Sequence, residues 1–130
     1  MLALEVRPVH EGVVVSGMQL GRTIGIPTAN IDAERFEASN GVYVVEVECL
    51  GAAHFGIANL GTRPTVGGRN RQLEVHIFDF EAEIYGESLR VALIAKVRDE
   101  VKFDSVGSMK IQIDRDIELA REYLGSNSDA

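Results

Sequence analysis

The chain has 130 residues, of which 45% are apolar and 25% charged, and its formal net charge is −7. This size predicts one domain with a single core. The acidic balance argues against a nucleic-acid-binding domain and an anionic-membrane binder, because both need a basic surface. Cys49 is the only cysteine, so no internal disulfide can form, which is compatible with a cytoplasmic location. No apolar run approaches the roughly 20 residues of a membrane span, and residues 1–7 are not typical of a secretory signal.

The first hundred residues are predicted to form strands separated by glycine and proline. Residues 12–16 are a short β-branched run, and residues 17–31, with three glycines and Pro27, are predicted to form a long loop. Residues 41–50 and 53–60 are predicted to form a hairpin, followed by a second loop at 61–70. Residues 72–80 and 89–97 complete five strands. With no helix between them, they indicate an antiparallel barrel or sandwich rather than a parallel α/β sheet.

The C-terminal part changes to a helical period and is predicted to be an amphipathic helix over residues 105–124. Its apolar stripe consists of Val106, Met109, Ile113, Ile117, Ala120 and Leu124. Asp104 or Ser105 would cap its N-terminus, and Gly125 fits the position just after its C-terminus. Residues 125–130 are predicted to fray. An amphipathic helix of this kind most often covers the core with its apolar face.

The glycine-rich segment 17–23 approaches the pattern of a phosphate-binding P-loop but does not match it. Three residues rather than four separate Gly17 from Gly21, Arg22 stands in place of lysine, and Pro27 follows too closely for a helix. A Walker-type fold is therefore excluded. An ordinary connecting loop and a flexible loop that covers phosphate with backbone N–H groups and one guanidinium both stay open.

Residues 25–30 offer a pair of oxygen ligands. Pro27 favours an extended backbone before it, and in an extended chain Thr28 and Asn30 point to the same side. A hydroxyl and an amide carbonyl suit Mg²⁺, which takes few protein oxygens and completes its shell with water and substrate phosphates. The alternative is that both side chains only make local turns, as these residue types often do.

Two further segments carry candidate chemistry. Period two places Glu74 on one strand face with His76, Phe78 and Phe80, so its carboxyl is a candidate for a raised pKa and general-base catalysis. An exposed glutamate is the alternative. In the segment 98–103, a guanidinium and an aromatic ring could hold a flat ligand. Alternatively, it is a charged connector whose aromatic residue anchors the helix.

Together these segments resemble the riboflavin kinases. Residues 12–17, 21–30, 41–43, 56–65, 74–80, 85–86 and 102–105 occur in the order found in that family. Pro-Thr-Ala-Asn at 27–30 with Glu-Val-His at 74–76 is the most specific combination. Residues 61–65 resemble the kinase module of the bacterial bifunctional riboflavin kinase and FAD synthetase. The resemblance implies one domain over residues 1–130, a six-stranded antiparallel Greek-key barrel with a C-terminal α-helix, and ATP-dependent phosphorylation of the riboflavin 5′-hydroxyl to FMN.

The resemblance also implies roles for individual residues. Thr28 and Asn30 would bind Mg²⁺ and nucleotide phosphate, and Glu74 would be the catalytic base. The residues implied to contact ATP elsewhere are Gly17, Arg22, Ile77, Asp79 and Tyr85. The residues implied to frame the flavin are Arg98, Val101 and Phe103. The expected partners are riboflavin or FMN and ATP or ADP, without nucleic acid or membrane.

Two other functions are considered for a barrel of this kind. A non-catalytic flavin- or nucleotide-binding regulatory barrel could share the fold, but a pure binder needs no Glu74 beside Thr28 and Asn30. An RNA-binding barrel is disfavoured by the net charge of −7. The sequence lacks the His-x-Gly-His motif of the adenylyltransferase half, so FMN without FAD is the expected product. A stand-alone kinase and a module of a bifunctional enzyme are not separated by the sequence.

Overall fold

Strands and one C-terminal helix make up the computed structural model, which describes residues 1–17, 26–65 and 67–127. The strands are β1 (Leu2–Ala3), β2 (Val9–Val13), β3 (Ser16–Gly17), β4 (Ala29–Asp32), β5 (Gly41–Cys49), β6 (Ala52–Thr65), β7 (Gly68–Ile77) and β8 (Ser88–Arg98), and the helix is α1 (Val106–Asn127). Most of the glycine-rich segment, including Arg22, lies outside the described residues. Among the described residues, no helix has the length and apolarity to cross a membrane.

The strands close into a barrel in which all pairs are antiparallel. The sheet order is β8–β5–β6–β7–β4, and the segment 9–17 joins its two edges, because β2 pairs with β8 and β3 pairs with β4. The six-stranded Greek-key barrel is confirmed, since β5, β6 and β7 are successive neighbours and β8 returns beside β5. Eight strands are counted instead of six because one strand is interrupted at Val14 and Val15, and the short β1 adds against β8.

Alternating side chains of the strands fill the barrel. Ile31, Leu60, Leu73 and Leu93 are among the fully buried residues of this inner core. The outer face of β5, β6 and β8 is covered by α1, where Val44 lies in a second buried cluster. Both faces of β5 are therefore buried, which explains its almost continuous apolar sequence.

The helix α1 begins at the predicted cap but extends beyond the predicted end. Ser105 Oγ accepts a hydrogen bond from the Ser108 backbone N–H at 3.0 Å. The stripe packs on the barrel from Ile113 onward, whereas Val106 is 46% exposed. The prediction that Gly125 follows the helix was wrong, because α1 continues to Asn127; residues 128–130 of the predicted tail lie outside the described residues. A glycine near a helix end costs only about 1 kcal/mol, so it does not force termination.

Three predicted loop or strand boundaries were also wrong. Strand β4 forms within the predicted loop 17–31, paired with β7 and β3. Strands β6 and β7 continue through the predicted loop 61–70 as one long hairpin, with Thr65 opposite Gly68. Strand β7 ends at Ile77 rather than at 80, because Asp79 has a positive φ of 54°. That turn reverses the alternation, so Phe80 packs against the inner core and does not share the face of Glu74.

Candidate active site

One row of side chains crosses the outer face of five neighbouring strands. Asn30 of β4 lies opposite Glu74 of β7, which lies opposite Asn59 of β6. The row continues through Val42 of β5 to Arg98 of β8. With neighbouring strands about 4.8 Å apart, the row is roughly 19 Å long. It therefore matches the length scale of an extended small-molecule site, with Glu74 nearer one end.

The Glu74 carboxyl is partly buried, and burial is the main cause that raises its pKa above the ordinary value of 4.5. The Arg63 guanidinium opposes this rise, and the Glu100 carboxylate adds to it. Arg63 Nη1 lies 3.1 Å from Glu100 Oε2, so the two charges largely offset each other near Glu74. Phe78 and Phe80, expected to desolvate this carboxyl, do not line the cavity beside it; Phe78 instead contacts Arg121 of α1.

Two oxygens on the β4 side of Glu74 are buried without a hydrogen-bond partner. They are Thr28 Oγ1 and Asn30 Oδ1. His76 Nδ1 donates to the Pro27 carbonyl oxygen at 2.7 Å, which fixes the backbone before Thr28 to β7. Since an unpaired buried oxygen is costly, these two atoms suit an electropositive ligand such as Mg²⁺. In the described part of the chain, no group of three or more His, Cys, Asp or Glu is placed to hold a metal.

A first cavity of about 520 Å³ lies over this row and beneath the segment 99–105, which connects β8 to α1. Its volume is within the usual range of small-molecule sites. Glu74, Asn59 and Thr28 line one side. The three residues expected to frame the flavin line the other: Arg98, Val101 and Phe103. Apolar side chains from the sheet and α1 complete the wall: Val42, Ile57, Met109 and Ile113.

The Arg98 guanidinium is fixed by a buried ion pair. It donates to both carboxylate oxygens of Asp116 at 2.8–3.1 Å, and Gln112 Nε2 donates to the same carboxylate at 3.0 Å. Asp116 is 1% exposed. The Arg98 guanidinium carbon lies 5.7 Å from the centre of the Phe103 ring. Arg98 thus ties α1 to the end of β8 and positions the ring at the cavity.

A second cavity of about 610 Å³ lies on the other side of Thr28. Ile77 and Tyr85, two of the expected nucleotide contacts, line it together with Pro27 and Thr28. Thr28 lines both cavities, so they meet beside the buried oxygens.

Two other expected nucleotide contacts can be placed and one cannot. Asp79 lines neither cavity; it pairs with Arg121 at 3.2 Å, and this hydrogen bond lowers the pKa of Asp79. Gly17 pairs with Ala29, next to Thr28, so the glycine-rich segment starts at the junction of the cavities. Arg22 lies outside the described residues.

Sequence reasoning missed four side chains of this site. Asn59 lies between inward-facing Ala58 and Leu60, and this alternation could have identified it. Asp116 falls within the apolar stripe of α1, where a carboxylate indicates a buried cation nearby. No sequence pattern indicated the pair of Arg63 and Glu100.

The chain matches the family model for flavokinases, described as riboflavin kinase, over residues 4–124. A bifunctional riboflavin kinase/FMN adenylyltransferase of Escherichia coli K12 is 49% identical over 116 residues, which is 88% of this chain and 37% of that protein. The RNA-binding riboflavin kinase RibR of Bacillus subtilis is 45% identical over 107 residues, 82% of this chain and 46% of that protein. The chain therefore spans less than half the length of either relative.

A solved structure of riboflavin kinase from Trypanosoma brucei has the same fold. The TM-score is 0.66 at 19% identity, over 98% of this chain and 84% of that one. This likeness concerns the fold, whereas the family follows from the match over nearly the whole sequence. The chain belongs to the riboflavin kinase family.

Proposed function

We propose that this chain transfers the γ-phosphoryl group of ATP to the 5′-hydroxyl of riboflavin, producing FMN and ADP. The observation that carries the proposal is the position of Glu74. Its carboxyl is desolvated and lies in the row beside Asn30, near the point where two cavities meet at Thr28. A phosphoryl transfer needs a proton acceptor where two substrates join.

The first cavity takes the flavin. Its wall is largely apolar, and Phe103 offers a ring for stacking at the end near Arg98. The isoalloxazine ring lies toward this end, and the ribityl chain extends along the row toward Glu74.

The second cavity takes the nucleotide, with Ile77 and Tyr85 beside it and the phosphates directed toward Thr28. The resemblance implies that Gly17 and Arg22 contact ATP, and the pairing of Gly17 with Ala29, beside Thr28, supports this role for Gly17. Asp79 reaches the nucleotide only if it exchanges its pairing with Arg121, so its role stays a prediction.

Glu74 acts as the general base. Its carboxylate accepts the proton of the 5′-hydroxyl while that oxygen forms a bond to the γ-phosphorus and the bond from phosphorus to the bridging oxygen of ADP breaks. Burial brings the pKa of Glu74 closer to neutral pH. A base with such a pKa is sufficiently ionised and still has a useful affinity for the proton. The Glu100 carboxylate pairs with Arg63, so it partly offsets the effect of this cation on the pKa of Glu74.

Thr28 Oγ1 and Asn30 Oδ1 would hold Mg²⁺, since both oxygens are buried and unpaired. When bound, the ion supplies stabilisation of negative charge on the phosphates. Neutral protein ligands bind such an ion weakly by themselves, so it would arrive mostly with the nucleotide.

The relative RibR is named as RNA-binding, but the net charge of −7 opposes RNA binding by this chain. We therefore keep nucleic acid outside the proposed partners. Retention of labelled RNA on filters at 0.1 M salt would contradict this assignment.

The experiment is turnover of riboflavin by the purified chain with Mg²⁺ and ATP, followed by chromatography of flavins and nucleotides. We expect FMN and ADP in equal amounts and no FAD. Flavin binding without FMN would favour the regulatory barrel, and an FAD peak would contradict FMN as the final product.

A further inference from the structure

We infer that Asn59 selects the polyhydroxylated side chain of the substrate, its side-chain carbonyl accepting a hydrogen bond from a secondary ribityl hydroxyl. The inference rests on the proposed function and adds a specificity-determining residue to it. Asn59 lies directly opposite Glu74 in the β6–β7 pair and lines the first cavity.

The side-chain oxygen of Asn59 lacks a hydrogen-bond donor. Its Oδ1 is buried and has no hydrogen-bond partner. Of the described residues that line the first cavity, Thr28 and Asn59 alone carry such an oxygen. A buried acceptor is costly unless a ligand supplies the donor, so a ligand with hydroxyls in this place is favoured over one without.

The position relative to Glu74 identifies which part of the ligand meets Asn59. Directly opposite residues have Cβ atoms about 4.5–5.5 Å apart. Asn30 and Thr28 lie on the phosphate side of Glu74, whereas Asn59 lies on the side toward Val42 and Arg98. With the 5′-hydroxyl at Glu74, the next groups along the row are the secondary hydroxyls of the ribityl chain.

Three other polar side chains that line this cavity already have partners. Arg63 pairs with Glu100, and His76 donates to the Pro27 carbonyl oxygen. Arg98 is held by Asp116. Among the described residues that line this cavity on the flavin side of the base, Asn59 is the one whose side-chain oxygen is both buried and unpaired.

The test compares riboflavin with 7,8-dimethyl-10-(5-hydroxypentyl)isoalloxazine, an analogue that keeps the ring and the terminal hydroxyl but lacks the secondary hydroxyls. The variants are Asn59→Ala and, as a matched control, Asn70→Ala. Asn70 Oδ1 is also buried and unpaired, but Asn70 does not line either cavity. The readouts are kcat/KM and, independently of turnover, the Kd of each flavin from fluorescence titration.

We expect wild-type protein to prefer riboflavin over the analogue by about tenfold or more, and Asn59→Ala to lose most of that preference. Asn70→Ala should keep it. Equal losses on both flavins in Asn59→Ala would overturn the inference, since they indicate a structural role. Equal use of both flavins by wild-type protein would overturn it even if Asn59→Ala did not fold.

Different results would contradict the proposed function and the role of Asn59. Absence of FMN formation by wild-type protein contradicts the kinase, but the Kd ratio still measures selection by Asn59. FMN formation with an unchanged preference in Asn59→Ala leaves the kinase intact and removes Asn59 as the selecting residue.

Discussion

Replacing Glu74 by glutamine removes the proton acceptor while keeping the size of the side chain. A general base contributes about 10²–10⁴-fold to rate, which corresponds to roughly 3–5 kcal/mol of activation free energy. We expect single-turnover phosphorylation by Glu74→Gln to fall within this range at saturating substrates. Binding of riboflavin and nucleotide should change little, because neither depends on the proton transfer.

Although Glu74→Gln should lower the rate, it should raise the stability of the fold at neutral and higher pH. Burial raises the folded-state pKa of Glu74 above its ordinary value, so the ionised carboxylate destabilises the fold. This cost is absent below the unfolded pKa, grows as pH rises to the folded pKa, and is complete above it. Glu74→Gln should therefore melt higher than wild type at pH 8 and equally at pH 3. For this chain length, 1 kcal/mol corresponds to roughly 2–8 °C.

Rate and melting temperature should be measured on the same preparations, with Glu118→Gln as the control. Glu118 is an exposed glutamate of α1, so its replacement should shift stability by less than about 0.5 kcal/mol and leave the rate unchanged. A Glu74→Gln rate within a few-fold of wild type would refute its assignment as the base.

The remaining predictions concern the metal, the helix anchor and the ring. Thr28→Ala and Asn30→Ala should each raise the Mg²⁺ concentration for half-maximal turnover at least about tenfold, with riboflavin affinity nearly unchanged; normal turnover at limiting Mg²⁺ would exclude the metal role. Asp116→Ala leaves the Arg98 guanidinium without its buried partner and should lower the free energy of unfolding by about 3–5 kcal/mol in urea; a loss below 1 kcal/mol would contradict the anchor. Phe103→Ala should weaken riboflavin binding about two- to tenfold by fluorescence titration, whereas lower stability at unchanged affinity would make it a helix anchor.

Removing Arg63 should act on the pH dependence of the rate. Arg63 lowers the pKa of Glu74 against the larger effect of burial. In Arg63→Ala, the acid limb of kcat/KM against pH should therefore move to higher pH. A limb at the wild-type position would contradict the assignment of that limb to Glu74.

Local patterns predicted the strands and the helix because each is set by neighbouring residues, whereas the six-stranded barrel was implied by the resemblance to the riboflavin kinases. The valine-rich run in residues 41–50 marks β5, and the three- to four-residue period marks α1. Strand β4 and the ends of β6 and β7 were missed because they depend on pairing with other strands, and one error arose where a single residue changes the backbone. The positive φ at Asp79 ended β7 early, and no periodicity reveals such a turn in advance.

The site was partly predictable for a related reason. Thr28, Asn30 and Glu74 carry chemistry in short segments, so they could be singled out. That Asn30 and Asn59 lie on either side of Glu74 depends on the pairing of three strands distant in sequence. The buried pair of Arg98 and Asp116 likewise depends on where α1 crosses the barrel.

The most direct test is a structure of the full chain with riboflavin, Mg²⁺ and a non-hydrolysable ATP analogue. We predict the isoalloxazine ring in the first cavity beside Phe103 and the terminal phosphate beside Thr28. The 5′-oxygen should lie within about 2.6–3.2 Å of a Glu74 carboxylate oxygen. A flavin in the second cavity, or a 5′-oxygen that faces away from Glu74, would contradict it.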